Sequence, residues 1–267
     1  MCCNRSQGKI YPQKELIKRI FKQPVLNNDY QKRRDLIQQF IPGPSFSINT
    51  NYEYEERLLI GESYTLSKKN NHQFIILLNQ FKNLAISESK INYIIDSKNI
   101  KPIFKTYSDI ISKKIQIDLN FLQNLLSTSH LVVSKGSDLA GPNIIMSENN
   151  LILIDWEPRE LKSRAYWSDL VNLILNTDPI GFFSYKYRLL FLELIKAVDN
   201  LNLNINDKNF INTLAAANSF WNLPNLHFLD FDHLTSEEFE IIINSIEISD
   251  LMTAASSTEI LCNKYAN

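Results

Sequence analysis

Asp138, Asn143 and Asp155 fall within one short stretch, VSKGSDLAGPNIIMSENNLILIDWEP, at residues 133–158. The apolar runs NIIM and LILID are separated by SENN, whose polar residues tolerate turn geometry, so the stretch reads as a β-hairpin. Centring the turn between Glu148 and Asn149 pairs Asn143 with Ile154 and Pro142 with Asp155. Asn143 and Asp155 then sit side by side at the open end, about 5 Å apart by backbone. An amide oxygen beside a carboxylate suits a hard cation such as magnesium, above all when substrate phosphates complete the shell. Asp138, on a loop containing Gly136, Gly141 and Pro142, adds a carboxylate that stands off the metal pair and is free to accept a hydroxyl proton. Such a set suits phosphoryl transfer, where positioning and charge neutralisation carry most of the catalysis. Asp-x4-Asn alone carries no signal, because both residues favour turns. The conjunction of acid, amide, hairpin and second acid followed by Trp156 does.

These groups need a scaffold, and the chain changes character along its length. KELIKRIFK alternates, with Leu16, Lys18 and Ile20 on one face and Ile17, Arg19 and Phe21 on the other, as a strand requires. NNDYQKRRDLIQQFI has helical spacing through Tyr30, Arg33, Leu36, Ile37 and Phe40, and PGP at 42–44 stops it. SFSINTN and YEYEERLLI read as two further strands. From about residue 72 helices take over: HQFIILLNQFKNLAI, IDLNFLQNLLSTSHLVV, YWSDLVNLILNT, YKYRLLFLELIKAVDNL, NFINTLAAANSFW and TSEEFEIIINSI. The last opens with Thr235 and Glu238 at capping-box spacing. The expectation is an α+β chain in two lobes, a small strand-rich lobe over residues 1–60 and a larger helical lobe over 61–267 that carries the hairpin. Gly61 marks the boundary.

The segments SDLAGPNIIM, LILIDWEP and YWSDLVNLI resemble the catalytic core of the aminoglycoside phosphotransferase and choline kinase family, small-molecule kinases with a protein-kinase-like fold. The resemblance is specific over residues 133–172. It implies an ATP- and magnesium-dependent phosphotransferase acting on a hydroxyl of a sugar, amino sugar or amino alcohol. Asp138 takes the place of the catalytic base, and Asn143 and Asp155 those of the metal ligands. Asp169 resembles the acid that begins the next helix and braces the catalytic loop; its alternative role is that of a helix-end residue near the positive dipole. Lys18 sits where kinases place the strand lysine that holds the nucleotide phosphates. Asp29 is its expected acidic partner on the following helix, with Asp35 as rival. Backbone groups at Arg57, Leu58 and Leu59 would read the adenine base.

Departures from the family pattern define an alternative. The histidine expected two residues before the base is Gly136, and no glycine-rich loop precedes Lys18, where only Gly8 is available. Both fit a weak or inactive pseudokinase that binds nucleotide or acts as a scaffold. Ala140 stands where serine/threonine protein kinases carry a lysine, which favours a small-molecule acceptor. Phe182, Phe183, Tyr185, Tyr187 and Trp221 could wall an acceptor pocket, although helical aromatics are mostly core. Asp230 and Asp232 could meet a cationic acceptor, or simply lead into a helix.

Composition narrows the partners. Of the 267 residues, 44% are hydrophobic and 21% charged, a globular profile. Lys and Arg number 28 against 29 for Asp and Glu, which gives no electrostatic case for nucleic acid or an anionic membrane. Three cysteines, with Cys2 and Cys3 adjacent, make neither a disulfide framework nor a zinc spacing. His72, His130, His227 and His233 form no triad. The N-terminus lacks a signal-peptide core and FIILL is too short to span a bilayer, so a cytoplasmic protein is expected.

Overall fold

The amphipathic alternation of the first sixty residues folds into four antiparallel strands, β1 (Gln7–Tyr11), β2 (Leu16–Ile20), β3 (Phe46–Thr50) and β4 (Glu53–Arg57), in the order β1-β2-β4-β3. The computed structural model describes residues 7–11, 15–22, 24, 26, 28–67, 70–89, 107–127, 131–134, 139, 141–147, 150–156 and 162–221. Among the residues named above, Asp138, Gly136, Ala140, Cys2, Cys3, Asp230, Asp232 and the helix expected from Thr235 lie outside that description, as does the side chain of Trp221.

In β4 the side chains alternate, so Tyr54 and Glu56 are buried while Arg57 is exposed. Helix α1 (Asn28–Gln38) covers that buried face with Tyr30, Arg34 and Ile37, spaced to share one side of the helix. Its Tyr30 ring lies 6.2 Å from Phe46 and 6.3 Å from Tyr54. The two prolines around Gly43 follow within six residues, where a helix cannot continue.

The expected hairpin forms as β7 (Ile144–Ser147) and β8 (Asn150–Leu153), with a two-residue β5 (Glu62–Ser63) alongside β7. Its register pairs Ile144 with Leu153 and Ser147 with Asn150, the register set by a turn between Glu148 and Asn149. Gly141 opens the preceding 3₁₀ turn; a Cβ there would lie 2.7 Å from the carbonyl oxygen of Tyr64. Only glycine lets the strand pass that close.

The remaining elements are mostly helical: α2 (Asn71–Glu88), α3 (Leu119–Ser127), α4 (Ser168–Thr177), α5 (Pro179–Phe183), α6 (Arg188–Asp199) and α7 (Asp207–Trp221). The run IDLNFLQNLLSTSHLVV was expected to be one helix. The helix instead stops at Ser127, and Leu131–Ser134 form β6, paired with β9 (Lys162–Ala165). The β-branched Val132 and Val133 suit a pleated strand, and the ladder supplies the backbone bonds that helix would have given.

The chain divides into two compact units, Met1–Leu84 with Val133–Lys162 and Ala85–Val132 with Ser163–Asn267. This grouping cuts across a boundary after residue 60, because the hairpin packs with the first strands. Leu153 donates its backbone N–H to Pro42 at 3.0 Å, and the carbonyl of Trp156 accepts from both Tyr30 and Tyr54. The second unit is built around α7, where Phe210 stacks on Phe121 at 5.3 Å and Phe220 meets Tyr107 at 5.2 Å.

Candidate functional site

The hairpin brings two of the expected residues to one end. Past the Ile144–Leu153 pair, Ile154 donates its N–H to the carbonyl of Asn143 at 2.9 Å. Asp155 is therefore the next residue after Asn143's partner. Its φ of 61° lies in the left-handed region. Asp tolerates that region because its short polar side chain can bond locally. The chain turns there out of the strand, and Trp156 drops into the core with its indole N–H on the carbonyl of Leu153 at 2.8 Å.

The Asp155 carboxylate is partly exposed and does not stand alone. Arg19 of β2 donates from Nη2 to its Oδ1 at 2.9 Å. The Nε of the same guanidinium lies 3.5 Å from Oε1 of Glu56, an ion-pair distance. Oε2 of Glu56 in turn accepts from Arg34 at 3.1 Å. A chain of four alternating charges thus runs Arg34–Glu56–Arg19–Asp155, from a fully buried end to a half-buried one. Arg34 has 0% exposure and is held on several sides. Its guanidinium sits 3.8 Å over the Phe46 ring and also donates to the Pro44 carbonyl and the Tyr30 hydroxyl, both at 3.2 Å.

Burial governs the proton equilibria here. It pushes the Tyr30 phenol up to about 12, and it drives Tyr54 further, with the charge of Glu56 adding to the effect. Both phenols therefore stay protonated as donors to the Trp156 carbonyl. Burial also raises Glu56 above the ordinary carboxylate range, and the Arg34 and Arg19 charges offset only part of that.

The other expected residues lie as follows. Lys18 pairs with Glu53 of β4 at 2.7 Å, on the opposite face of β2 from Arg19. Asp29 is largely exposed and pairs with Arg33 one turn along its own helix at 3.0 Å, and Asp35 is exposed. The N–H of Arg57 donates to the Ser45 carbonyl at 2.9 Å, and that of Leu58 to the Glu15 carbonyl at 2.7 Å. Those two donors are spent on the sheet, and Leu59 follows in an irregular segment. Asp169 is buried in the first turn of α4. Of the aromatic residues considered for an acceptor wall, Phe182, Phe183 and Tyr187 are core and Tyr185 is half-buried: Phe182 packs edge-on against Phe183 and Phe191, and the Tyr187 hydroxyl donates to Asp178 at 2.6 Å.

Three members of the charge chain, Arg19, Glu56 and Arg34, are not picked out by motif reading. A signal for one of them was present. In KELIKRIFK, Arg19 shares the inward face with Ile17 and Phe21, and a cation on an apolar face needs a partner.

Asn143 and Asp155 offer hard oxygen donors, while the Arg19 guanidinium competes for the Asp155 carboxylate. That donor chemistry fits magnesium. Among the described residues no three His, Cys, Asp or Glu side chains gather into a metal cage. A cation at this pair would complete its shell from water and phosphate.

No protein-family model matches the sequence, and no characterised protein matches it by sequence comparison. Among solved structures, the chain is similar to a choline kinase from Cryptosporidium parvum at 14% identity and a TM-score of 0.49, over 93% of this chain and 83% of that one. It is also similar to an ADP-bound aminoglycoside phosphotransferase, at 12% identity and 0.45, over 98% and 92% of the two chains. An ethanolamine kinase from Plasmodium vivax gives 12% and 0.42, over 92% and 74%. Likenesses this distant say nothing of substrate or activity.

Proposed function

We propose that the protein is an ATP- and magnesium-dependent phosphotransferase that acts on a hydroxyl of a small molecule, a sugar, amino sugar or amino alcohol. The observation that carries this reading is the β7–β8 register, which sets Asn143 and Asp155 at one open end with a cation, Arg19, already on the carboxylate. The left-handed backbone at Asp155 adds support, since non-glycine residues held there cluster at functional sites.

In this reading Asn143 and Asp155 hold the metal, which would neutralise phosphate charge. Asp138 orients the acceptor hydroxyl and takes its proton. The phosphate-holding cation of β2 is Arg19, by its place beside Asp155, rather than Lys18, which the resemblance names with Asp29 as its partner but which pairs with Glu53 on the opposite face. Backbone groups near Arg57, Leu58 and Leu59 border the base, and Asp169 braces the loop that carries Asp138. A pseudokinase that binds nucleotide without turnover is the second reading. It is favoured by the β1–β2 connection, where Pro12, Gln13, Lys14 and Glu15 provide no glycine to wrap phosphates.

The deciding experiment measures ATP affinity and phosphate transfer to a panel of sugars, amino sugars and amino alcohols. Asp138→Asn keeps size but removes basicity, so ATP binding should survive while transfer falls roughly 10²- to 10⁴-fold. If no acceptor gives the native protein more turnover than Asp138→Asn, the enzyme reading gives way to the pseudokinase.

A further inference from the structure

Arg19 has two ends with different neighbours. Its Nε faces Glu56, a carboxylate that is itself pinned by the buried Arg34, while its Nη2 reaches the half-buried Asp155. The first contact is deep and anchored. The second lies nearer solvent, on a side chain 32% exposed. Two positive and two negative groups make up the chain, so Arg34–Glu56–Arg19–Asp155 is neutral as it stands. A divalent cation arriving at Asp155 competes with Nη2 for the carboxylate and leaves the cluster with an excess of two positive charges. In a partly desolvated site that excess is costly unless an anion arrives with the metal.

We infer that Arg19 is an internal counter-cation for Asp155, one that opposes metal binding alone and, once displaced, turns its guanidinium to the anionic ligand that comes with the metal. Glu56 is the positioning residue in this arrangement: it keeps Arg19 at the site when Asp155 lets go, and Arg34 fixes Glu56. Metal and polyphosphate are thereby made to bind together, because each offsets the charge the other leaves unbalanced. The inference rests on the reading of Asp155 as a metal ligand.

The test uses the full chain and two probes, Mn²⁺ alone followed by electron paramagnetic resonance of the free ion, and metal-free ATP followed by calorimetry. Arg19→Gln should bind Mn²⁺ alone about three- to tenfold more tightly than the native protein, since a competing charge-assisted contact is gone. The same variant should bind metal-free ATP about tenfold more weakly, having lost a cation that pairs with phosphate. Opposite signs are the signature, because general damage to the fold would weaken both. Arg19→Lys keeps the charge and should return Mn²⁺ affinity to near the native value, and thermal melts of all variants establish that each is folded. The inference is overturned if Asp155→Asn abolishes Mn²⁺ binding yet Arg19→Gln leaves it unchanged or weaker. If Asp155→Asn leaves Mn²⁺ binding intact, Asp155 is not a ligand, and both the metal reading and this inference fall.

Discussion

Under α1, in the first unit, Arg34 and Glu56 are buried as ions; along α7, in the second, Asn212, Thr213 and Asn218 are buried as neutral amides and a hydroxyl. The α7 groups are tied mostly to other segments of the same unit. Asn212 donates to the Gln116 carbonyl at 3.0 Å, Thr213 donates to Asn209 at 2.6 Å and accepts from the N–H of Asp118 at 3.0 Å, and Asn218 donates to Asn172 at 2.9 Å. Such bonds pin helices together at small desolvation cost. Burying a guanidinium and a carboxylate costs far more, and an apolar pair of the same volume often serves stability better. The ionic cluster is therefore poorly explained as a device for stability. Its outward end, Arg19 on Asp155, gives the physical reason to keep it: it places a charge beside the candidate metal ligand.

The largest expected effect tests that contrast in stability. Removing one member of a buried pair strands the other, so Arg34→Ala should lose about 3–5 kcal/mol in urea unfolding. Asn218→Ala, which strands a neutral amide, should lose only about 1–3 kcal/mol. Equal losses would mean that the two regions do not differ as described.

Acidity sharpens the comparison through sign. Glu56 is raised by burial, so between its unfolded and folded pKa values the folded state holds more protons. Its contribution to stability must then fall as pH rises through that window, starting from the ordinary value near 4.5. Asp178 of the second unit behaves oppositely. Burial pushes it up, but hydrogen bonds from Lys186, Tyr187 and the Gly181 N–H outweigh that and hold it below 3.8. Its contribution is present above the unfolded value and is lost as pH falls through the folded one. Stability measured from pH 2 to 7 should therefore show that Glu56→Gln removes a decline with rising pH, whereas Asp178→Asn removes a loss at the acid end. Matching slopes in the two variants would contradict the assignment.

The smallest effect separates the two faces of β2. Lys18 and Glu53 form a partly exposed pair at 2.7 Å, so Lys18→Ala should cost only about 0.2–1 kcal/mol. It should also leave ATP affinity near native if Arg19 supplies the phosphate cation, whereas Arg19→Gln lowers it. A larger ATP defect in Lys18→Ala than in Arg19→Gln would restore Lys18 to that role.

The hairpin was legible because its information is local. The turn residues fix the centre, the period-two pattern fixes the faces, and the register that brings Asn143 and Asp155 together follows from counting. The helix that overran into HLVV shows the limit of such counting. Leu131–Ser134 pair with Lys162–Ala165, a partner about thirty residues away that no local period announces.

By itself the sequence determined the α+β class, three of the four strands of the first sixty residues (β1 went unread), most of the helices within the described residues and the open end of the hairpin. It also sorted Lys18 and Arg19 onto opposite faces of β2, since adjacent strand residues must point apart. What it left undecided is which face meets Asp155, a residue 136 positions away. Only the tertiary structure decided that, by laying α1 and Trp156 over the face that carries Arg19, Tyr54 and Glu56. Coulomb attraction and desolvation depend on distance in space and on what covers a group, and neither quantity is written in residue spacing along the chain.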